Sequence, residues 1–120
     1  MANEGYFTIT LKATKSGATV SQSVSKRFSM TGAAMLQGTQ SIGTTAELVD
    51  FADISGAPQA VLIQNLDATN YIEVGGDSGL TVFKLKIPAG FAQIVTLSSA
   101  TLYAKANTAS VNVMVTAIEI

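Results

Sequence analysis

The sequence predicts an all-β protein: a single antiparallel β-sandwich over residues 1–120, with jelly-roll or Greek-key connections. Three observations carry that reading. From Ala60 to Ala106 apolar residues recur at every second position, as in Phe83, Leu85 and Ile87 set against Val82, Lys84 and Lys86, which is the period of a half-buried strand. Between these runs lie Asp67-Ala68-Thr69-Asn70, Gly75-Gly76-Asp77-Ser78-Gly79 and Pro88-Ala89-Gly90, whose residues accept positive φ or preset a bend. No stretch gives a convincing helix. Residues 60–106 therefore read as an antiparallel meander, and the rest of the chain is fitted around it.

Residues 1–5 are expected to form a flexible arm. Tyr6 to Ala13 alternates Phe7, Ile9 and Leu11 against Tyr6, Thr8 and Thr10, and its Thr and aromatic content fits a pleated surface. Lys15-Ser16-Gly17 makes the first turn. From Ala18 to Met30, the spacing of Val20, Val24 and Phe28 would suit a helix, but the Ser and Val content argues for an exposed strand. Thr31 to Gly38 reads as a loop or short strand, because flanking glycines limit any helical turn. Thr39 to Ile42 is a short strand ending at Gly43-Thr44-Thr45. Ala46 to Ile54 is read as a strand closed by Ser55-Gly56-Ala57-Pro58.

Gln59 to Leu66 is the most apolar run and is expected at the centre of a sheet, with Val61 and Ile63 facing one way and Leu62 the other. Tyr71–Val74, Thr81–Ile87, Phe91–Leu97 and Thr101–Lys105 follow as short strands. Ser110 to Ile120 is a long final strand with Val111, Val113, Val115 and Ala117 on one side, and its apolar end, Ile118-Glu119-Ile120, is expected to be paired. Met30 and Met35 are read as core filling.

Composition narrows the function. A chain of 120 residues can bury a core without a metal or disulfide, and this one has no Cys. It also has no His, which removes the commonest acid/base group near neutral pH and the commonest metal ligand. Charged residues are 12%, against about 25% in a typical soluble domain, so the shortfall lies on the surface. A β-rich surface so poor in Lys and Glu is better suited to being covered by other subunits than to free solution. No stretch approaches the ~20 apolar residues of a membrane span, and the start lacks a basic region followed by an apolar core. The chain is therefore expected to be made in soluble form.

The net charge of −1 conceals a segregation. Residues 1–30 hold Lys12, Lys15, Lys26 and Arg27 against Glu4 alone, whereas residues 31–82 hold Glu47, Asp50, Asp53, Asp67, Glu73 and Asp77 with no Lys or Arg. Opposite charges on different segments can steer neighbouring copies into register. They can equally pair within one fold.

Motifs with catalytic overtones do not hold up. Gly76-Asp77-Ser78-Gly79 spells the GDSG that surrounds the nucleophile of trypsin-like proteases, but activating that serine needs a His. The plainer reading is a hairpin turn whose glycines supply positive φ. Asp67, Glu73 and Asp77 lie near two successive turns and would have to converge with carbonyls to bind Ca²⁺, yet no EF-hand spacing supports this and solvated turn acids are favoured. A paired-carboxylate glycosidase lacks an evident sugar platform, since the chain has no Trp and only Tyr6, Tyr71 and Tyr103. Lys26-Arg27 and the alternating Lys84 and Lys86 are too few, in an acidic chain, to predict direct nucleic-acid binding.

At Gly38–Thr44, Gln64–Gly75, Lys84–Gly90 and Leu102–Ala106 the sequence resembles a family of small β-rich virion proteins of tailed bacteriophages, a likeness spread over residues 38–120. The phrase Asn65-Leu66-Asp67-Ala68-Thr69-Asn70-Tyr71-Ile72-Glu73-Val74-Gly75 reads in that family as strand, turn and strand, followed by a polar edge at Lys84-Leu85-Lys86. The resemblance implies a non-enzymatic structural role in the phage particle, with synthesis in the host cytoplasm. A capsid decoration or cement protein bridging major capsid protein subunits or other virion proteins is the first expectation. A homo-oligomer, with a trimer favoured, accompanies it. The alternatives are a neck, tail or fibre-base component, and a carbohydrate-binding or Ca²⁺-dependent β-sandwich module. No cofactor, metal or membrane is expected. The expected assembly contacts are Tyr6, Thr8 and Lys12 in the N-terminal segment, with Lys26 and Arg27 facing acidic partners.

Overall fold

The computed structural model describes residues 4–30, 34–52, 54 and 58–119. The chain is all-β, as the alternation predicts, and no helix among the described residues is long and apolar enough to cross a membrane. The sequence reading folds residues 1–120 into one domain; the contacts group into two compact units, Met1–Gly32 and Ala33–Ile120.

The first unit is a hairpin of β1 (Gly5–Lys15) and β2 (Ala18–Phe28), paired in unbroken register from Gly5 opposite Phe28 to Lys15 opposite Ala18. Ser16 and Gly17 close it at φ 53° and 80°. Positive φ at both central residues matches the right-handed twist of the strands, which is why a Ser-Gly pair suffices. Of the arm expected at residues 1–5, residues 1–3 lie outside the described residues. Glu4 accepts a hydrogen bond from the Met30 N–H at 3.1 Å, and Gly5 opens β1. A Cβ at Gly5 would crowd the Phe28 ring opposite it, which would have to shift.

The second unit packs two four-stranded antiparallel sheets around one core. Its strands are β3 (Met35–Ile42), β4 (Glu47–Leu48), β5 (Pro58–Asn65), β6 (Ile72–Gly75), β7 (Lys84–Ile87), β8 (Ala92–Val95), β9 (Tyr103–Ala106) and β10 (Val111–Glu119). One sheet has the order β3-β10-β5-β8, the other β4-β9-β6-β7. The pairing is nested: β3 with β10, β4 with β9, β5 with β8 and β6 with β7, as if one long hairpin had been rolled up. This corrects the meander expected over residues 60–106, since only β6 and β7 pair consecutively there. A meander would place these strands in one sheet, whereas distributing them over two sheets lets the apolar faces cover each other.

The core confirms the period. Val61 and Ile63 are buried while Leu62 is 38% exposed, and Val111, Val113, Val115 and Ala117 all face inward from β10. They meet Ile72, Val74, Ile87, Ala104 and Ala106 of the other sheet. The C-terminal strand is paired as expected through Glu119, which lies opposite Pro58; Ile120 is outside the described residues.

Several boundaries differ from the sequence reading. Residues 31–33 are not among those described; of the loop or short strand read over residues 31–38, Met35 to Gly38 are strand and join Thr39–Ile42 in β3. Met35 is 71% exposed and not core filling, because the period of two turns Leu36 inward and Met35 outward. The strand read from Ala46 to Ile54 is reduced to Glu47–Leu48. Beyond it the Asp50 carboxylate accepts the Ala52 N–H at 2.8 Å and Ala52 takes φ 49°, a turn that ends the extension while leaving Val49, Phe51 and Ile54 buried. Likewise β7 begins at Lys84 instead of Thr81, because Thr81 and Val82 give their N–H groups to Asp77.

Candidate assembly surface

The residues singled out from the sequence, Tyr6, Thr8, Lys12, Lys26 and Arg27, all lie on the hairpin. Register and alternation divide it into two faces. Tyr6, Thr8, Lys12 and Arg27 share one face, where Thr8 bonds Ser25 at 3.1 Å, Thr10 bonds Ser23 at 3.0 Å and Thr14 bonds Thr19 at 2.9 Å. The Arg27 guanidinium lies 5.4 Å from the centroid of the Tyr6 ring opposite it. This is a hydroxyl-laddered, cationic surface. Lys26 lies on the other face, opposite Phe7.

That other face carries what the sequence reading did not select: Phe7, Ile9, Leu11, Ala13, Val20, Val24 and Phe28. Phe7 and Phe28 are half-buried against each other, with ring centroids 6.5 Å apart. Leu11 and Val20 are 73% and 67% exposed, and Ile9 and Val24 are also exposed. The alternation of Phe7, Ile9 and Leu11 is plain in the sequence, but alternation alone does not tell whether the apolar face is covered.

The turn acids do not converge on an ion. Asp67 Oδ2 accepts the N–H groups of Asn70 at 2.7 Å and Thr69 at 3.0 Å, together with the Thr69 hydroxyl. These bonds, the Asn70 N–H foremost, hold its carboxyl below the ordinary value. Asp77 accepts from the N–H groups of Thr81 and Val82 and from the Thr81 hydroxyl, and is likewise lowered, the Val82 N–H contributing most. Glu73 stands 3.7 Å from Lys84. Among the described residues no group of three or more acids, His or Cys could hold a metal.

In the GDSG stretch the turn does join a hairpin, β6 to β7, but the positive φ falls on Leu80, at 54°, and not on Gly76 or Gly79. The glycine that the geometry demands is Gly75, where a Cβ would lie 2.4 Å from the Phe83 carbonyl oxygen. Lys84 and Lys86, which would have had to contact phosphates, are engaged with Glu73 and with the Tyr71 ring, 4.4 Å from its centroid.

Compared with family models, curated proteins and solved structures, the chain has no match.

Proposed function

We propose that this chain is a non-enzymatic structural protein of a tailed-phage particle, a capsid decoration or cement protein that bridges neighbouring subunits of the shell. The observation that carries the reading is the hairpin. A two-stranded sheet is marginal in water on its own, and strands of 11 residues with Ile9, Leu11, Val20 and Val24 exposed are suited to cover by another molecule. The scarcity of charge supports the same reading, as does the phage-protein resemblance at residues 38–120. The nested strand pairing supports the jelly-roll reading of the sandwich, a compact unit well suited to repeated placement on a lattice.

The mechanism is multivalent burial, in which many modest interfaces add up over a shell to resist internal pressure. Lys26 and Arg27 would face acidic neighbours. The carbohydrate or Ca²⁺-dependent module is disfavoured because Asp67 Oδ2 and both Asp77 oxygens accept bonds from their own turns.

The test is incorporation into particles. The chain carrying both Lys26→Glu and Arg27→Glu is expected to be lost from purified particles, while the unaltered chain, labelled and imaged, decorates the head. A label at the neck or tail would move the role there. A saturable heat with Ca²⁺ or a glycan panel would overturn the structural reading.

A further inference from the structure

The two sheets of the second unit expose four outer strands, β3, β8, β4 and β7. An outer strand presents unpaired N–H and C=O groups, so folded proteins shorten it, charge it or interrupt it. Three of these four are guarded in that way. β4 has two residues, one of them Glu47; β7 has four, with Lys84 and Lys86; β8 has four. β3 is different: eight residues, Met-Leu-Gln-Gly-Thr-Gln-Ser-Ile, with no charge and no proline.

Beside β3 the sandwich is incompletely filled. A groove of about 210 Å³ is lined by Leu36, Gly38, Gln40, Asp50, Ala52 and Val115 among others. Leu36 and Gln40 are only half-buried, and a Cβ at Gly38 would meet nothing within 4 Å. The inner face of this strand therefore has both a free backbone edge and vacant apolar space beside it.

The hairpin supplies the matching parts. Its strands are long enough to pair along all of β3, and its apolar face offers Leu11 and Val20, both more than half exposed. Charge matches too. Residues 1–32 hold four cations against Glu4, a net of +3, while residues 33–120 hold seven acids against three lysines, a net of −4. Asp50 lies in the groove wall and Glu47 on the adjacent β4.

We propose that the β1–β2 hairpin of one copy adds, edge to edge, onto β3 of a second copy. There it extends the β3-β10-β5-β8 sheet and lays its apolar face over the groove at Gly38. The contact is head-to-tail, so successive copies close into a ring or run on as a chain. It rests on the reading of the protein as an assembly component, but it concerns contacts between its own copies and not the shell beneath.

The test uses the full chain. Sedimentation velocity over a concentration series is expected to detect self-association that weakens as salt is raised. Gly38→Leu, which fills the groove from a site with open space, and Leu11→Glu, on the hairpin, are each expected to weaken association at least about tenfold, or about 1.4 kcal/mol. Circular dichroism and thermal unfolding should show that both retain the fold. Because each copy offers two unlike surfaces, a mixture of the two variants should restore a single interface and yield a dimer that neither forms alone. The proposal is overturned if the unaltered chain stays monomeric throughout, if both variants associate as tightly as it does, or if the mixture yields no dimer. A monomeric chain that still enters particles would sink this inference and leave the proposed function standing; self-association without incorporation would do the reverse.

Discussion

The side-chain amide of Asn65, at the end of β5, donates to the main-chain carbonyl of Ile87, at the end of β7, at 3.1 Å, and both residues are buried. One side chain thus ties the two sheets together by a polar bond. The same amide donates to the Asn70 carbonyl at 2.9 Å, and its oxygen accepts the Asp67 N–H at 2.8 Å, so the turn after β5 is fixed by the same residue. Replacing it with an apolar side chain of similar volume strands these groups. Asn65→Leu is expected to cost at least about 1–3 kcal/mol in urea unfolding. A change within about 0.5 kcal/mol, the range of an ordinary surface substitution, would contradict this account of the turn.

Two glycines in strands of the sandwich should respond in opposite ways. At Gly75 an added Cβ lies 2.4 Å from the Phe83 carbonyl oxygen and 2.8 Å from Leu80 Cδ2, so Gly75→Ala must displace the backbone of the 76–83 loop. A loss of about 1–3 kcal/mol is expected, the usual cost of overpacking. Gly38→Ala has open space and no left-handed φ to defend, so it should be neutral or slightly stabilising. Paired thermal melts of the two variants check the contrast.

Acid should loosen the turns before it reaches the core. Asp67 and Asp77 titrate below the ordinary carboxylate value of 3.8, chiefly because the N–H groups of Asn70 and Val82 bond their ionised forms. The unfolded chain therefore takes up these protons first. The stability that the pair contributes is intact above that value and drains away as pH falls through the lower folded values. Thermal unfolding followed downward from about pH 5 should show the loss beginning near pH 4. In the chain carrying Asp67→Asn and Asp77→Asn that part of the slope should be flattened.

The hairpin and the sandwich should also differ in protection. In a dilute, unassembled sample, amide exchange is expected to be faster at Phe7 to Ala13 than at Val61 to Ile63 or Val113 to Val115. The former belong to a sheet of two strands, while the latter line a core shared by two sheets. Raising the concentration until copies associate should slow exchange in β1, β2 and β3 together. Slowing confined to other strands would point to a different surface.

What could be read in advance followed from local chemistry. The inward row Val111, Val113, Val115, Ala117, the outward Leu62 and the Ser16-Gly17 turn depend only on period and on φ preference, which neighbouring residues determine. Sheet membership does not depend on these: a strand such as Ile72–Gly75 has the same alternation whichever sheet receives it, so residues 60–106 read as one meander and not as strands divided between two sheets. Met35 shows the same limit, since an apolar residue on an outer strand has the composition of a core residue and the exposure of a surface one. Of the candidate surface, the cations were visible as a charge imbalance. The exposed row through Leu11 and Val20 was not, because alternation fixes which residues share a face but not what covers that face. Asn65 left one faint signal, its position just ahead of the Asp67-Ala68-Thr69-Asn70 turn.

β10 occupies the middle of its sheet, flanked by β3 on one side and β5 on the other. As the chain leaves the ribosome, both neighbours emerge well before the strand that joins them: until it has been made β3 has no partner in its sheet, and β5 has only β8. The nascent polypeptide must therefore hold β3 unpaired from the completion of Ile42 until Val111–Glu119 has been made. Completion then comes late and all at once, in keeping with the slow folding of sheets built from distant pairings. In that interval the chain is most exposed to mispairing with its neighbours, and a chaperone would have the most to protect.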